Sequence, residues 1–327
     1  MIRNQWYVVL ESKELKAKPL AALRLGERLA FYRTAEGKAV CLADRCAHRG
    51  ASLALGEIKG GDRLTCPFHG LEYAPDGRCV LIPANGRAAA VPPNFRVPSY
   101  PTHEAHGFIA IWWGLNPPAD LAPPAFFDDL PAGMRWATVR DPWNAHYSRV
   151  IENQLDCVHL PFVHYNTIGR GNRTLVNGPG VEWVGEDRFH MYVYNAVDTG
   201  QKPLGCDEVA IPSPSGYKIE FQFPNLWENR IAEKLRVLAA FVPVDEEHTL
   251  LYLRIYHGFL TWPLVRGLFG ALMSRFNVAV AHQDRRVVET QTPKPSSLKG
   301  GENLFQGDKP IVEYRKRRQQ LLDAAVR

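Results

Sequence analysis

Two short stretches constrain this chain more than anything else in it: Cys46-Ala47-His48 and Cys66-Pro67-Phe68-His69, with 17 residues between His48 and Cys66. Two thiolates and two imidazoles, one of each per loop, can converge on a single metal centre. Such a donor set suits tetrahedral Zn²⁺ or a [2Fe–2S] cluster in which two histidines hold one iron. Zinc fingers usually supply a cysteine pair and then a histidine pair. Here each loop gives one of each, which lets both thiolates hold one iron and both imidazoles the other. Cys41, Cys79, Cys157 and Cys206 have no histidine close behind them and read as small, partly buried side chains. Six cysteines in 327 residues are too few for a disulfide scaffold.

The chain is long enough for two domains at roughly 150 residues each. With 46% hydrophobic and 22% charged residues, it falls outside the disordered and fibrous classes. A net charge of +5 is too mild for a dedicated nucleic-acid binder. The apolar stretch 260–281 is interrupted by Arg266 and Arg275, so no bilayer-length run exists and no membrane partner is expected. Glu11 and Lys13 stand where a signal peptide needs a longer apolar segment, which points to the cytoplasm.

The first 115 residues read as β-rich, with turns at Ala35-Glu36-Gly37 and Pro75-Asp76-Gly77 and a buried strand in HGFIAIWWG. Prolines at 117, 118, 123 and 124 make a stiff linker over 116–124. Residues 125–327 then form the second domain. Val150, Ile151, Leu155 and Val158 make an apolar stripe at helical spacing over 146–160. Segments 181–197, 217–224, 234–244 and 249–258 read as strands, with VGED as a hairpin turn. A long helix is expected over 262–291, ended by Thr292-Pro293, and another over 310–327.

Within CAHRG and CPFHG, and extending to Gly70-Leu71-Glu72-Tyr73, the first constellation resembles the Rieske iron–sulfur motif, which implies Cys46, His48, Cys66 and His69 as cluster ligands. Neutral imidazole ligands raise the reduction potential above that of an all-cysteine cluster.

A second constellation follows: Asn153-x₂-Asp156-x₂-His159-x₄-His164. On one helix Asn153, Asp156 and His159 would fan over roughly 120°, and Pro161 should break or bend that helix between the two histidines. Two histidines need a carboxylate to complete the facial triad of non-haem Fe(II) oxygenases. The spacing resembles the signature of Rieske non-haem iron oxygenase α subunits, aromatic-ring-hydroxylating enzymes among them. In that family a late aspartate completes the triad, and Asp284 in AHQDRRVVETQ is the matching position, 120 residues after His164; Glu289 and Asp207 are its rivals. The resemblance implies further that Asp156 links a cluster histidine of one subunit to an iron histidine of the next, in a head-to-tail homotrimer. Asn153 matches a position near the iron.

The implied fold is α+β, a β-rich Rieske domain followed by a helix-grip-like antiparallel sheet with helices, of the compact α-only type. The implied cofactors are a [2Fe–2S] cluster and mononuclear Fe²⁺, with O₂ as co-substrate. The implied activity is hydroxylation or oxidative demethylation of a small apolar or aromatic substrate. Aromatic cis-dihydroxylation and a non-oxygenase redox or binding role are the alternatives. No nucleotide-binding glycine loop is evident, so a separate reductase, directly or through a ferredoxin, would supply electrons. The basic run Arg315-Lys316-Arg317-Arg318 could attract an acidic donor, although a solvated helix face is the plainer reading. Eight aromatics of the second domain, among them Trp143, Phe162, Tyr165, Phe221 and Trp227, could line a pocket or simply pack.

Overall fold

The computed structural model describes residues 1–114, 117–125, 130–131, 133–210, 218–258 and 263–325, with the backbone alone over 263–269. Of the positions named above, 115–116, 217, 260–262, the Arg266 side chain and 326–327 lie outside the described residues. The chain divides into two compact units, Met1–Asp128 and Asp129–Arg327, and the proline-dense stretch belongs to the first.

The first unit begins with β1 (Trp6–Glu11), β2 (Leu20–Arg24), β3 (Glu27–Arg33), β4 (Ala39–Ala43), β5 (Glu57–Lys59) and β6 (Arg63–Thr65). It continues with β7 (Glu72–Tyr73), β8 (Cys79–Leu81), β9 (Ser99–Tyr100), β10 (Thr102–Ala105) and β11 (Phe108–Trp112). Among the described residues these strands form antiparallel sheets in the orders β1-β11-β10, β2-β3-β4-β9 and β5-β6-β7-β8. Both expected turns are present. Gly37 N donates to Thr34 O at 2.8 Å between β3 and β4, and Gly77 N donates to Ala74 O at 2.9 Å between β7 and β8. Gly77 has φ +80°, and a Cβ there would run into the Val97 carbonyl, so only glycine serves. Tyr32, Leu42, Leu53, Leu64 and Tyr73 form one buried cluster that takes in Cys46 and Cys66. The two thiol-bearing loops therefore grow out of a packed core.

The second unit starts with β12 (Arg135–Trp143), α1 (Tyr147–Leu155), α2 (Leu160–Val163), β13 (Leu175–Trp183), β14 (Arg188–Ala196) and β15 (Lys218–Gln222). Then come β16 (Leu226–Ala232), β17 (Leu235–Pro243), β18 (Thr249–His257), α3 (Pro263–Val288) and α4 (Lys309–Ala325). The described strands make one antiparallel sheet, β12-β18-β17-β16-β15-β14-β13, so the first strand closes against the last. VGED is the β13–β14 turn, where Val184 N donates to Arg188 O at 2.8 Å. Alternation gives the sheet two faces. Met191, Ile219, Asn229, Val237 and Ile255 stand at one level across five strands on one face. On the other face Glu228 and Arg236 pair at 3.0 Å, both almost fully buried.

The structure corrects one expectation about the helices. The helix after His146 ends at Leu155, ahead of both histidines, and Pro161 opens α2 instead of breaking α1. The reason is local. Asp156 is extended (ψ 124°), and its Oδ1 accepts the amides of Val158 at 2.6 Å and His159 at 3.3 Å, a side-chain turn that competes with continued helix. Proline is well tolerated in a first helical turn, where its missing N–H has no partner to lose.

Candidate metal centres

The two thiol loops are built alike. Cys46 N donates to Ala51 O at 2.8 Å while Gly50 N donates back to Cys46 O at 2.9 Å. Cys66 N and Gly70 N repeat this with Leu71 O and Cys66 O, at 2.7 and 3.0 Å. Gly50 and Gly70 both hold left-handed backbone, φ +75° and +71°, which lets each loop fold back so tightly. Asp44 anchors the first loop by accepting the Ser52 hydroxyl at 2.7 Å and the Ala54 amide at 2.9 Å. The Arg49 guanidinium lies over the Phe68 ring, 5.6 Å from its centre, and so joins the loop tips.

This folding sorts the donors by type. Both thiols are buried, Cys46 against Cys66, whereas His48 and His69 are exposed with ring centroids 4.8 Å apart. Burial pushes the Cys66 thiol pKa up, and the backbone amides of Phe68 and His69, aimed at its sulfur, act to lower it. Tyr73, notable in the sequence only as part of a motif, places its hydroxyl 3.1 Å from Cys46 Sγ. Two adjacent thiols behind two adjacent imidazoles fit a two-iron cluster with unlike ends.

In the second unit His159 from the loop before α2, His164 from its end and Asp284 from α3 converge. Among the described residues they form a group whose ligand atoms all lie within 4.8 Å of one another. Asp284 Oδ1 is 2.9 Å from His164 Nε2 and 3.4 Å from His159 Nε2. Donors at right angles about 2.1 Å from one metal would stand about 3 Å apart, so the spacing fits a single ion. Asp284 Oδ1 is buried without a well-formed hydrogen bond, which is the condition a bound metal relieves. Burial acts to lower the His164 pKa, but the Asp284 carboxylate and the Gln283 amide outweigh it and hold it above the ordinary imidazole value. For Asp156 burial pulls upward, and His159 with the Val158 and His159 amides overcomes it, leaving the carboxyl below its usual range. Asp156 Oδ2 lies 3.5 Å from His159 Nδ1.

The end of α3 is aimed by its own sequence. His282 Nε2 and Arg285 Nη1 both reach Asp141 Oδ1 of β12 at 3.1 Å, on either side of Gln283 and Asp284. Trp143 Nε1 donates to the other oxygen of the same carboxylate at 2.8 Å.

A cavity of about 570 Å³ opens beside the three ligands. Leu160, α3 residues such as Phe276 and Val280, and the level of sheet residues from Met191 to Ile255 wall it, and Asn153 and Asp156 reach it too. Of the aromatics expected to line a pocket, Trp227 does so. Phe221 and Phe223 pack on Tyr314, and Phe162 and Tyr165 are exposed. The rival carboxylates lie elsewhere: Glu289 accepts the Asn144 amide at 2.8 Å, and Asp207 borders a separate cavity with Cys206 and Lys309. Sequence reasoning missed Gln283 and Thr167, which carry no signal beyond adjacency to Asp284 and His164. The basic run on α4 is no free patch. Arg315 is 4% exposed and bound to Glu152 and Glu302, Arg317 pairs with Glu186, and Arg318 donates to the Tyr147 hydroxyl.

Comparison with known proteins finds a match for each unit. The Rieske [2Fe–2S] domain family matches residues 5–101, and the vanillate O-demethylase oxygenase C-terminal domain family matches residues 143–324. A putative toluene-4-sulfonate monooxygenase system iron–sulfur subunit from Comamonas testosteroni is 36% identical over 172 residues, 52% of this chain and 48% of that protein. The vanillate O-demethylase oxygenase subunit of a Pseudomonas strain is 34% identical over 172 residues, 51% of this chain and 46% of that protein. The matches span about half the length of these curated relatives. The solved structure of Pseudomonas putida CBB5 NdmA with caffeine superposes with a TM-score of 0.74 at 26% identity, covering 99% of this chain and 94% of that one. No helix among the described residues is long and apolar enough to cross a membrane. An iron–sulfur domain of one family and a catalytic domain of the other, in that order along one polypeptide, settle the lineage: the chain belongs to the Rieske non-haem iron oxygenases of the vanillate O-demethylase type.

Proposed function

We propose that this chain is the oxygenase component of a Rieske system that hydroxylates or oxidatively demethylates a small, apolar or aromatic substrate, using O₂ and electrons from a separate reductase, directly or through a ferredoxin. The observation that carries the reading is the convergence of His159, His164 and Asp284 beside an apolar cavity of about 570 Å³. Cys46, His48, Cys66 and His69 would hold the [2Fe–2S] cluster, and the three convergent residues the mononuclear iron. When bound, these groups supply one-electron transfer and O₂ activation respectively.

The chain's own residues do the rest. Three protein donors leave the remaining sides of the metal position open toward the cavity. The apolar walls bind an apolar ring by excluding water and hold it beside the ligands rather than on them. Asp156 Oδ2 lies 3.5 Å from His159 Nδ1, near enough that a small side-chain shift would let it orient that ring. In a head-to-tail homotrimer the same carboxylate would reach a second copy's His69, whose ring stands exposed on its own unit. Asn153 reaches the cavity with its Nδ2 unpartnered, a donor available to a ligand there. A reducing, cytoplasmic setting fits a chain whose other four cysteines, Cys41, Cys79, Cys157 and Cys206, are unbridged.

Anaerobically purified protein tests this reading. It should show a Rieske spectrum and EPR signal and contain more iron than the cluster's own pair. His159→Ala or Asp284→Ala should remove the excess and leave the cluster spectrum intact. A substrate panel with a supplied reductase should then yield product coupled to O₂ uptake. A colourless, zinc-containing protein, or O₂ uptake that ends only in peroxide across the panel, would defeat it.

A further inference from the structure

A histidine that offers one ring nitrogen to a metal needs its other nitrogen fixed, because that contact sets both tautomer and ring angle. The two imidazoles here are backed by unlike groups. His159 Nδ1 faces the Asp156 carboxylate, whereas His164 Nδ1 lies 2.8 Å from Oε1 of Gln283, a neutral amide next in sequence to Asp284.

That amide is itself held by two further contacts. Gln283 Nε2 donates to Asn166 Oδ1 at 2.9 Å, and Thr167 Oγ1 donates to Gln283 Oε1 at 2.8 Å. Turning the amide over would set its NH₂ against the ring nitrogen, break the Thr167 contact and require the Asn166 amide to turn with it. With Oε1 inward the amide only accepts there, so His164 Nδ1 must carry the proton and Nε2 keeps its lone pair on the Asp284 side. We propose that Gln283 is the positioning residue of His164, locked by Asn166 and Thr167, so that consecutive residues of α3 supply one metal ligand and the support of another. The neutral amide orients His164 without adding the negative charge that Asp156 brings to His159. This proposal rests on the iron site proposed for His159, His164 and Asp284.

Fe(II) titration against a competing chelator, on the full chain with its cluster loaded, tests it. The cluster spectrum and the unfolding midpoint serve as checks of folding. Gln283→Leu should weaken Fe(II) binding about 10–100-fold with both checks unchanged. Gln283→Glu should restore binding to within about threefold, because the exposed Asn166 amide can turn its NH₂ toward the new carboxylate. Should Gln283→Leu fail to fold, Asn166→Ala decides the matter, with Fe(II) binding expected to weaken about threefold as the amide is released. Unchanged affinity in the variant that folds overturns the proposal, as does a Glu variant as weak as the Leu variant. Iron held equally by the native chain and Gln283→Leu sinks this proposal alone. A native chain with no iron beyond the cluster sinks the iron site together with it.

Discussion

The Tyr73 hydroxyl accepts the Ala47 amide at 3.0 Å, so its own proton is free to point at Cys46 Sγ. Burial, and then the nearby sulfur, hold the phenol pKa far above its ordinary value, so that proton stays in place. A donor aimed at a thiolate favours the more negative, reduced cluster. Tyr73→Phe should therefore lower the reduction potential by on the order of 50 mV, about one hydrogen bond; voltammetry showing no change or a rise would refute this. His146, which caps α1 by accepting the Ser148 amide, gives a second expectation. Burial first, and then Arg318 and Arg149, pull its pKa from 6.5 down to about 3. Between those values the unfolded chain binds the extra proton, so stability falls as pH drops through the window and the loss levels off below it. The native chain should lose about 1.4 kcal/mol per pH unit more than His146→Asn over this range. Parallel denaturation curves for the two proteins would count against it.

At the scale of elements, the segment from α1 through α2 places His159 and His164, two of the three candidate metal ligands, and its close packing admits little change. A Cβ on Gly169 would collide with the Leu160 carbonyl, at the very turn that carries His164. Gly169→Ala should weaken iron retention about tenfold, measured as iron content after dialysis against chelator, while the cluster spectrum persists. Full retention would show that the turn can yield. Here too lies the divide between what the sequence discloses and what it hides. Cys46, His48, Cys66 and His69 were legible because few residue types can hold such a cluster and each loop is local. His159 and His164 were legible for the same reason, and Asp284 only through family resemblance. The break ahead of His159 was missed because it comes from the Asp156 side chain, not from the proline that advertises itself. Strands β12 and β16, and β13 ahead of residue 181, carry no such signal either. In β16 polar residues fall on both faces, Glu228 on one and Asn229 on the other, so no clean alternation appears. Gln283 meets His164 only through the tertiary fold, which no local pattern records.

For the molecule as a whole, the two centres belong to separate compact units, and what holds the second together is partly ionic. Arg149 and Arg315, both nearly buried, share Glu152 and Glu302, with Arg315 Nε 2.7 Å and Nη2 2.8 Å from the Glu152 carboxylate. The cluster ties α4 to α1, the helix that leads into the ligand loop. Glu152→Ala leaves two buried guanidiniums with half their counter-charge and should cost the second unit about 3–5 kcal/mol. Calorimetry should then show an earlier transition for that unit while the cluster absorbance survives. A single unshifted transition would argue against it.

The cavity wall has a consequence for how such a chain can change. Alternate residues along the middle of the central strands face the cavity, and their sequence neighbours face the opposite side, where Glu228 pairs with Arg236. Met191, Ile219, Val237, Leu253 and Ile255 can thus vary in size without touching the backbone ladder or that ion pair. A combinatorial library confined to these alternate positions is a natural starting point for laboratory evolution, in which the interior is recut for new molecules while the frame and the metal ligands are inherited unaltered.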